Sequence, residues 1–253
     1  MTAPLLELRD LRVEYRARHP AVDAVNLVLQ PGETLGLIGE SGSGKSTIGH
    51  AIVGLVRPTG GRILFFGEDI THATARRRRE LSRHLQIVFQ DPHGSLNPSR
   101  TVGSTLAEPL RVVRRLSRRA AEAQVADVLR QVGMPAAAAA RHPSAFSGGQ
   151  LQRIAIARAL VLEPELVVCD EPTSALDLSV QAQILNLLLD LQQRLGLSYL
   201  FISHDIDVVR FACHRAAVLR HGRIVEQGPV GSLTGAPAHA YTRALLGAVP
   251  DAG

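Results

Sequence analysis

Eight residues, Gly39-Glu40-Ser41-Gly42-Ser43-Gly44-Lys45-Ser46, lie between the apolar run Thr34-Leu35-Gly36-Leu37-Ile38 and a helical pattern reaching about residue 56. No other stretch constrains the chain so tightly. The glycines let successive backbone N–H groups turn inward on one anion, and the helix amino terminus behind them adds partial positive charge. The spacing is G-x-x-x-x-G-K-[ST], with a buried-type strand before it and a helix after it, which is the setting a phosphate-binding loop requires. A flexible glycine loop would need neither flank. Gly39, Ser41, Gly42, Ser43, Gly44, Lys45, Ser46 and Thr47 are therefore the expected nucleotide contacts. Lys45 would reach the β- and γ-phosphates, and the Ser46 hydroxyl would ligate Mg²⁺.

The rest of the chain is compatible with that demand. Its 253 residues suit one large α/β domain with a smaller inserted lobe, and 45% apolar residues supply a core. The apolar runs fall far short of a bilayer span, and MTAPLLELRD turns polar at once, so a cytoplasmic location is expected. Cys169 and Cys213 are too few for a disulfide framework and read as small buried apolar residues. The net charge of +5 is concentrated in arginine runs at Arg76 to Arg79 and among Arg111, Arg114, Arg115, Arg118 and Arg119. Neither run carries the interleaved aromatics of a single-strand binder, so both read as solvated helix faces, with no nucleic-acid partner.

LELRDLRVEY and AVDAVNLVLQ alternate apolar and polar residues, predicting an antiparallel pair within residues 5–29. Strands follow at ILFF (63–66) and QIVF (86–89). From about residue 100 to 162 the pattern is helical, with Ala136 to Ala140 as a connector. LVVCD (166–170) and SYLFIS (198–203) read as buried strands flanking a helix over 178–195. A short helix, two strands around His221-Gly222 and a closing helix from Ala238 to Val249 complete the reading. Strands alternating with helices imply a mainly parallel sheet with ligands at its carboxyl ends. The expected organisation is a single domain over 1–253: residues 1–99 and 163–253 form a sheet-containing catalytic lobe, and about 100–162 a helical lobe.

Two further segments carry chemistry. The strand Leu166-Val167-Val168-Cys169 delivers Asp170 and Glu171. Asp170 would hold Mg²⁺ through water, and Glu171 would polarise the attacking water as general base. Ser147-Gly148-Gly149-Gln150 is an S-x-x-Q capping box opening the helix LQRIAIARAL. Two glycines in a first helical turn each cost about 1 kcal/mol relative to alanine. In return they allow close backbone approach to an anion.

With this signature standing between the phosphate loop and the Asp170-Glu171 strand, the sequence resembles the ABC ATPase family over nearly its whole length. The resemblance implies a phosphate-loop core with an N-terminal antiparallel β subdomain and an inserted α-helical lobe. It also implies a head-to-tail dimer, with itself or a paralogue, sandwiching ATP between the phosphate loop of one subunit and Ser147 to Gln150 of the other. Tyr15 matches the aromatic that stacks on adenine, and Gln90 the glutamine contacting Mg²⁺ and water. Asp177 matches the loop crossing the dimer, and His204 the histidine at the γ-phosphate. Lys45, Gln90, Glu171 and His204 form the implied catalytic set. Phe89 to Pro98 (FQDPHGSLNP), Ser174 to Leu191 and the tail His239 to Leu246 look like the dipeptide, oligopeptide and nickel importers. Phe146, Leu151 and Ala240 depart from that pattern, where a leucine, a basic residue and a proline are usual.

That branch implies a membrane-associated ATPase, peripheral on the cytoplasmic face. It would serve two transmembrane permease subunits fed by an external substrate-binding protein. The prolines and glycine of Asp91 to Pro98 predict a surface loop tied to Gln90, which the resemblance places where a membrane subunit docks. A soluble ABC ATPase acting on nucleic acid or the ribosome is the alternative. Such proteins carry coiled-coil insertions or two cassettes, and 253 residues accommodate neither. A GTPase or small-molecule kinase would leave the signature without purpose, and no N-K-x-D motif occurs.

Overall fold

The computed structural model describes residues 3–15 and 20–247, and divides into two compact units. One runs to Thr74 and resumes at Ser198; the other is Ala75–Leu197. The first contributes β1 (Leu6–Val13), β2 (Val22–Leu29), β3 (Thr34–Ile38), α1 (Lys45–Val53), β4 (Gly60–Phe65) and β5 (Glu68–Asp69). The second holds α2 (Ala75–Leu81), β6 (Leu85–Val88), α3 (Pro92–Ser95), α4 (Val102–Val112), α5 (Arg118–Gln131), α6 (Gly148–Leu160), β7 (Leu166–Asp170) and α7 (Leu178–Leu195). The chain returns to the first through β8 (Ser198–Ser203), α8 (Ile206–Ala212), β9 (Arg215–Arg220), β10 (Arg223–Pro229), α9 (Val230–Gly235) and α10 (Ala240–Gly247).

The first unit carries two kinds of sheet. Strands β2, β1, β4 and β5 lie side by side and antiparallel. The β1 alternation breaks at Arg9 and Asp10, where the register with β2 shifts and Asp10 adopts a left-handed φ of 47°. Asn26 stabilises this bulge, its Oδ1 accepting from the Asp10 amide and its Nδ2 donating to the Asp10 carboxylate, both at 2.9 Å. In the second arrangement β3 is parallel to both β8 and β9, with β10 antiparallel on β9. All five residues of β3 are buried, as a strand flanked on both edges and covered on both faces demands.

In the second unit β6 and β7 pair in parallel, and α6 packs against α7, α5 and β6. Every regular element between residues 100 and 162 is a helix or 3-10 turn, with side-chain caps at Thr101, Ser117 and Ser147. Helix α7 starts on the Asp177 cap and ends on Gly196 in the left-handed conformation. Ala136–Ala140 is a 3-10 turn whose Ala138 is buried, so the connector is a packed element. One segment matches the expected solvated helix face, and another differs from expectation. The arginine run forms α2, held by ion pairs of Arg76 and Arg77 with Glu80, and buries only Leu81. Within Asp91 to Pro98, predicted as loop, Pro92–Ser95 forms one helical turn, and Leu96 is buried rather than exposed.

Cys169 is fully buried, and burial pushes the Cys213 thiol pKa far up. No helix among the described residues is long and apolar enough to cross a membrane. The tail helix spans Ala240–Gly247, and Val249 lies outside the described residues.

Candidate functional site

The first unit positions the loop between β3 and α1. Gly44 caps α1 with φ 107°, and a Cβ there would lie 2.2 Å from the Ala21 carbonyl oxygen. Only glycine fits. Gly222 donates to the Ser43 carbonyl at 2.9 Å, so the β9–β10 turn supports the loop from below. Lys45 is 4% exposed, and its Nζ donates to the carbonyls of Gly39 (2.7 Å) and Glu40 (2.9 Å). The loop thus curls around its own lysine. Ser43 is buried, Ser46 and Thr47 are half-buried, and Ser41 and Gly42 face solvent. A cavity of about 590 Å³ opens beside Gly42, lined by Ala21, Asp23, His221 and Arg223 among others.

Register places His204 relative to that loop. Ile38 pairs with Ser203, so Gly39 and His204 each stand one residue beyond the same rung. His204 is exposed. Tyr15 is 52% exposed just past β1. Its hairpin is rooted at the loop: Ala21 donates to the Val13 carbonyl at 2.9 Å, and the Ala21 carbonyl is the group that excludes a side chain at Gly44.

The second unit brings together the other set. Val88 pairs with Cys169, so Gln90 and Glu171 each lie two residues beyond a common rung at adjacent carboxyl ends. Asp170 is 6% exposed at the end of β7. Glu171 is half-buried with φ 48°, left-handed for a residue with a full side chain. Both the amide (3.3 Å) and the hydroxyl (3.1 Å) of Ser174 donate to its carbonyl and hold that turn.

At the start of α6 the Ser147 hydroxyl accepts from the Gln150 amide (3.4 Å), while the Gln150 side chain accepts from the Ser147 amide (3.1 Å). This reciprocal cap leaves Ser147 and Gln150 exposed and the two glycines half-exposed. A Cβ on Gly149 would meet Val180 at 2.5 Å, so the glycine lets this turn close against α7. Asp177 caps α7. Hydrogen bonds from the Val180 amide (2.9 Å) and then the Ser179 hydroxyl (2.7 Å) hold its carboxyl below the usual range.

The positions expected to hold Mg²⁺ offer a hydroxyl (Ser46), a carboxamide (Gln90) and a carboxylate (Asp170). All are hard oxygen donors of the kind Mg²⁺ takes. Among the described residues no cluster of three or more His, Cys, Asp or Glu side chains could hold a metal. Motif reading missed the supporting groups, Ala21, Gly222 and Tyr241, whose hydroxyl accepts from the Glu40 amide at 3.3 Å. No spacing rule links them to the loop.

A strand–loop–helix phosphate cradle on a parallel sheet, in a chain that also carries an antiparallel β layer and a helical segment, defines a phosphate-loop nucleotide-binding cassette. Residues 22–174 match the family model described as ABC transporter, and the chain belongs to that family. A Brucella abortus protein named "Putative peptide import ATP-binding protein" is 56% identical over 92% of this chain and 70% of its own length. One of the same description from Brucella ovis is 48% identical over 98% of this chain and 79% of its own. Among solved structures, cbiO1 from Clostridium perfringens, part of the ABC transporter complex cbiONQ, superposes with a TM-score of 0.83 at 29% identity, covering 92% of each chain. The dimeric ATP-binding cassette MJ0796, solved bound to ADP and Pi, gives a TM-score of 0.80 at 29% identity, covering 89% of this chain and 98% of that one. The chain is an ATP-binding and ATP-hydrolysing cassette.

Proposed function

We propose that this cassette powers peptide uptake from the cytoplasmic face of a membrane, driving two permease subunits supplied by an external binding protein. The observation that carries the cargo class is the 56% identity, over 92% of the chain, to a relative named for peptide import. Lys45 and the amides of Gly39 to Thr47 bind the β- and γ-phosphates, and Tyr15 stacks on adenine. Glu171 is the general base, with Gln90 positioning water and His204 meeting the γ-phosphate. Ser147 to Gln150 and Asp177 act across a dimer of this chain with itself or a paralogue, whose signature completes the ATP site. Ser46, Gln90 and Asp170 would hold Mg²⁺, which when bound neutralises developing phosphate charge. The helical lobe of about 100–162 is proposed as part of the unit Ala75–Leu197, which also holds β6, β7 and α7.

Coupling is assigned to the turn after Gln90. Arg158 donates to the Ser95 carbonyl, and the Ser95 hydroxyl donates to the Pro92 carbonyl at 2.8 Å, so the turn is held from within its own unit. Leu96 is 3% exposed, so its truncation is a folding probe and not a coupling probe. The side chain of His93 lies outside the described set. Substitutions at His93 or Ser95 are expected to reduce uptake into vesicles holding the full transporter more than they reduce ATPase activity of the cassette. Equal losses in both assays would leave no coupling role.

The soluble nucleic-acid reading has its own test. Because Arg76 and Arg77 pair with Glu80 on an exposed helix, converting Arg76 to Arg79 to glutamines should leave ATPase activity within about twofold. Salt-sensitive DNA or RNA binding that disappears in this variant would favour the rival reading.

A further inference from the structure

The tail motif His239 to Leu246 marks the branch in sequence but supplies none of the residues given a role under the proposed function. We infer that Tyr241 is a positioning residue for the phosphate loop, its hydroxyl holding Glu40 so that the loop keeps its nucleotide-ready curl. The inference rests on the phosphate-loop reading.

Glu40 is the loop residue on which the internal bonds converge. Its carbonyl accepts from Lys45 Nζ at 2.9 Å and from the Ser43 amide at 3.2 Å. Its amide, on the opposite side of the residue, donates to Tyr241 Oη at 3.3 Å. One side of the residue is therefore tied to the catalytic lysine and the other to a helix two hundred residues away in sequence.

Tyr241 is itself built into place. Tyr241 is 8% exposed and belongs to an apolar cluster with Ile38, Ile206, Val209, Val230 and Leu233, which the end of β3 and the tail share. The Arg220 guanidinium stands 4.8 Å from the ring centroid. The approach to α10 is fixed in turn by Glu226, whose carboxylate accepts from the amides of Ala238 (2.8 Å) and His239 (3.1 Å). His239 Nδ1 accepts from the Tyr241 amide at 3.1 Å. A tyrosine serving only as core filler would need none of this orientation of its hydroxyl.

Tyr241→Phe keeps the ring, its packing and the Arg220 contact, and removes only the acceptor. One neutral hydrogen bond corresponds to about a three- to tenfold change in an equilibrium. Its loss should raise Kd and KM for ATP by that factor, because the loop meets the phosphates already in the ground state. The saturated rate should stay within about twofold. Leu245→Ala, which thins the packing of α10 without touching the bond, is the control; it should lower Tm and leave ATP affinity unchanged. Lys45→Ala tests the reading underneath. The measurement is calorimetric titration of each full-length variant with ATP and magnesium, beside steady-state kinetics and thermal melts.

A selective rise in Kd and KM for Tyr241→Phe supports the positioning role. Unchanged affinity in Tyr241→Phe, or a parallel loss in Leu245→Ala, overturns it. If Lys45→Ala binds ATP like the wild type, the phosphate-loop reading falls and takes the inference with it.

Discussion

Glu171→Gln is expected to retain ATP binding and lose turnover by on the order of 10²–10⁴-fold, the usual contribution of a positioned general base. The substitution is chemically narrow. Glutamine matches glutamate in size and has the same backbone requirement, and that requirement is unusual here because residue 171 has φ 48°. A left-handed non-glycine residue costs about 1–3 kcal/mol and persists only where its surroundings impose it. The two hydrogen bonds from Ser174 to the Glu171 carbonyl remain in the variant, so the turn should survive. What disappears is the carboxylate proposed as proton acceptor. ATP should then accumulate in a closed dimer visible by light scattering, with the cognate partner cassette added if pairing is heteromeric. A Glu171→Gln protein hydrolysing ATP near the wild-type rate would falsify the assignment.

Gly44→Ala should damage an earlier step. The left-handed φ of 107° is unfavourable to alanine, and the new methyl would approach the Ala21 carbonyl oxygen to 2.2 Å. Because that oxygen belongs to backbone, no rotamer change relieves the overlap; either the loop or the root of the Tyr15 hairpin must move. The adjacent Lys45, clasped by the Gly39 and Glu40 carbonyls, would be displaced with the loop. ATP affinity should fall at least about tenfold. Tm should drop several degrees, since about 1–3 kcal/mol of strain moves a domain of this size by roughly 2–4 °C per kcal/mol. Titration and melting of the same preparation check both. ATP binding within twofold of wild type would mean that the loop root tolerates a side chain.

These two variants probe what sequence could and could not convey. β8 falls on SYLFIS and α7 on 178–195, because a run of buried apolar residues and a cap-to-glycine helix each have a single reading. The helical character of 100–162 was equally legible from its periodicity. The helix α2 was legible only as a solvated face and not in its bounds, because ARRRREL has one apolar residue to bury and relies on charge pairs that leave no hydrophobic period. The turn at Pro92–Ser95 hid behind its prolines and glycine. At the candidate site, local spacing marked the loop, the signature and the Asp170-Glu171 pair. The groups that buttress the loop were invisible, since Ala21 beneath Gly44 and Tyr241 beside Glu40 are tertiary neighbours that no motif encodes.

The two thiols give the chain a practical asset. Cys169 is buried, and burial raises the pKa of the half-buried Cys213 thiol, so both should react with a maleimide more slowly than a fully exposed cysteine. A single cysteine placed on an exposed position such as Leu178, 84% exposed at the start of α7, would then take a fluorophore or spin label without deleting the native thiols. Labelled cassettes could report the approach of two copies across an ATP cycle as a distance, in an otherwise unmodified chain.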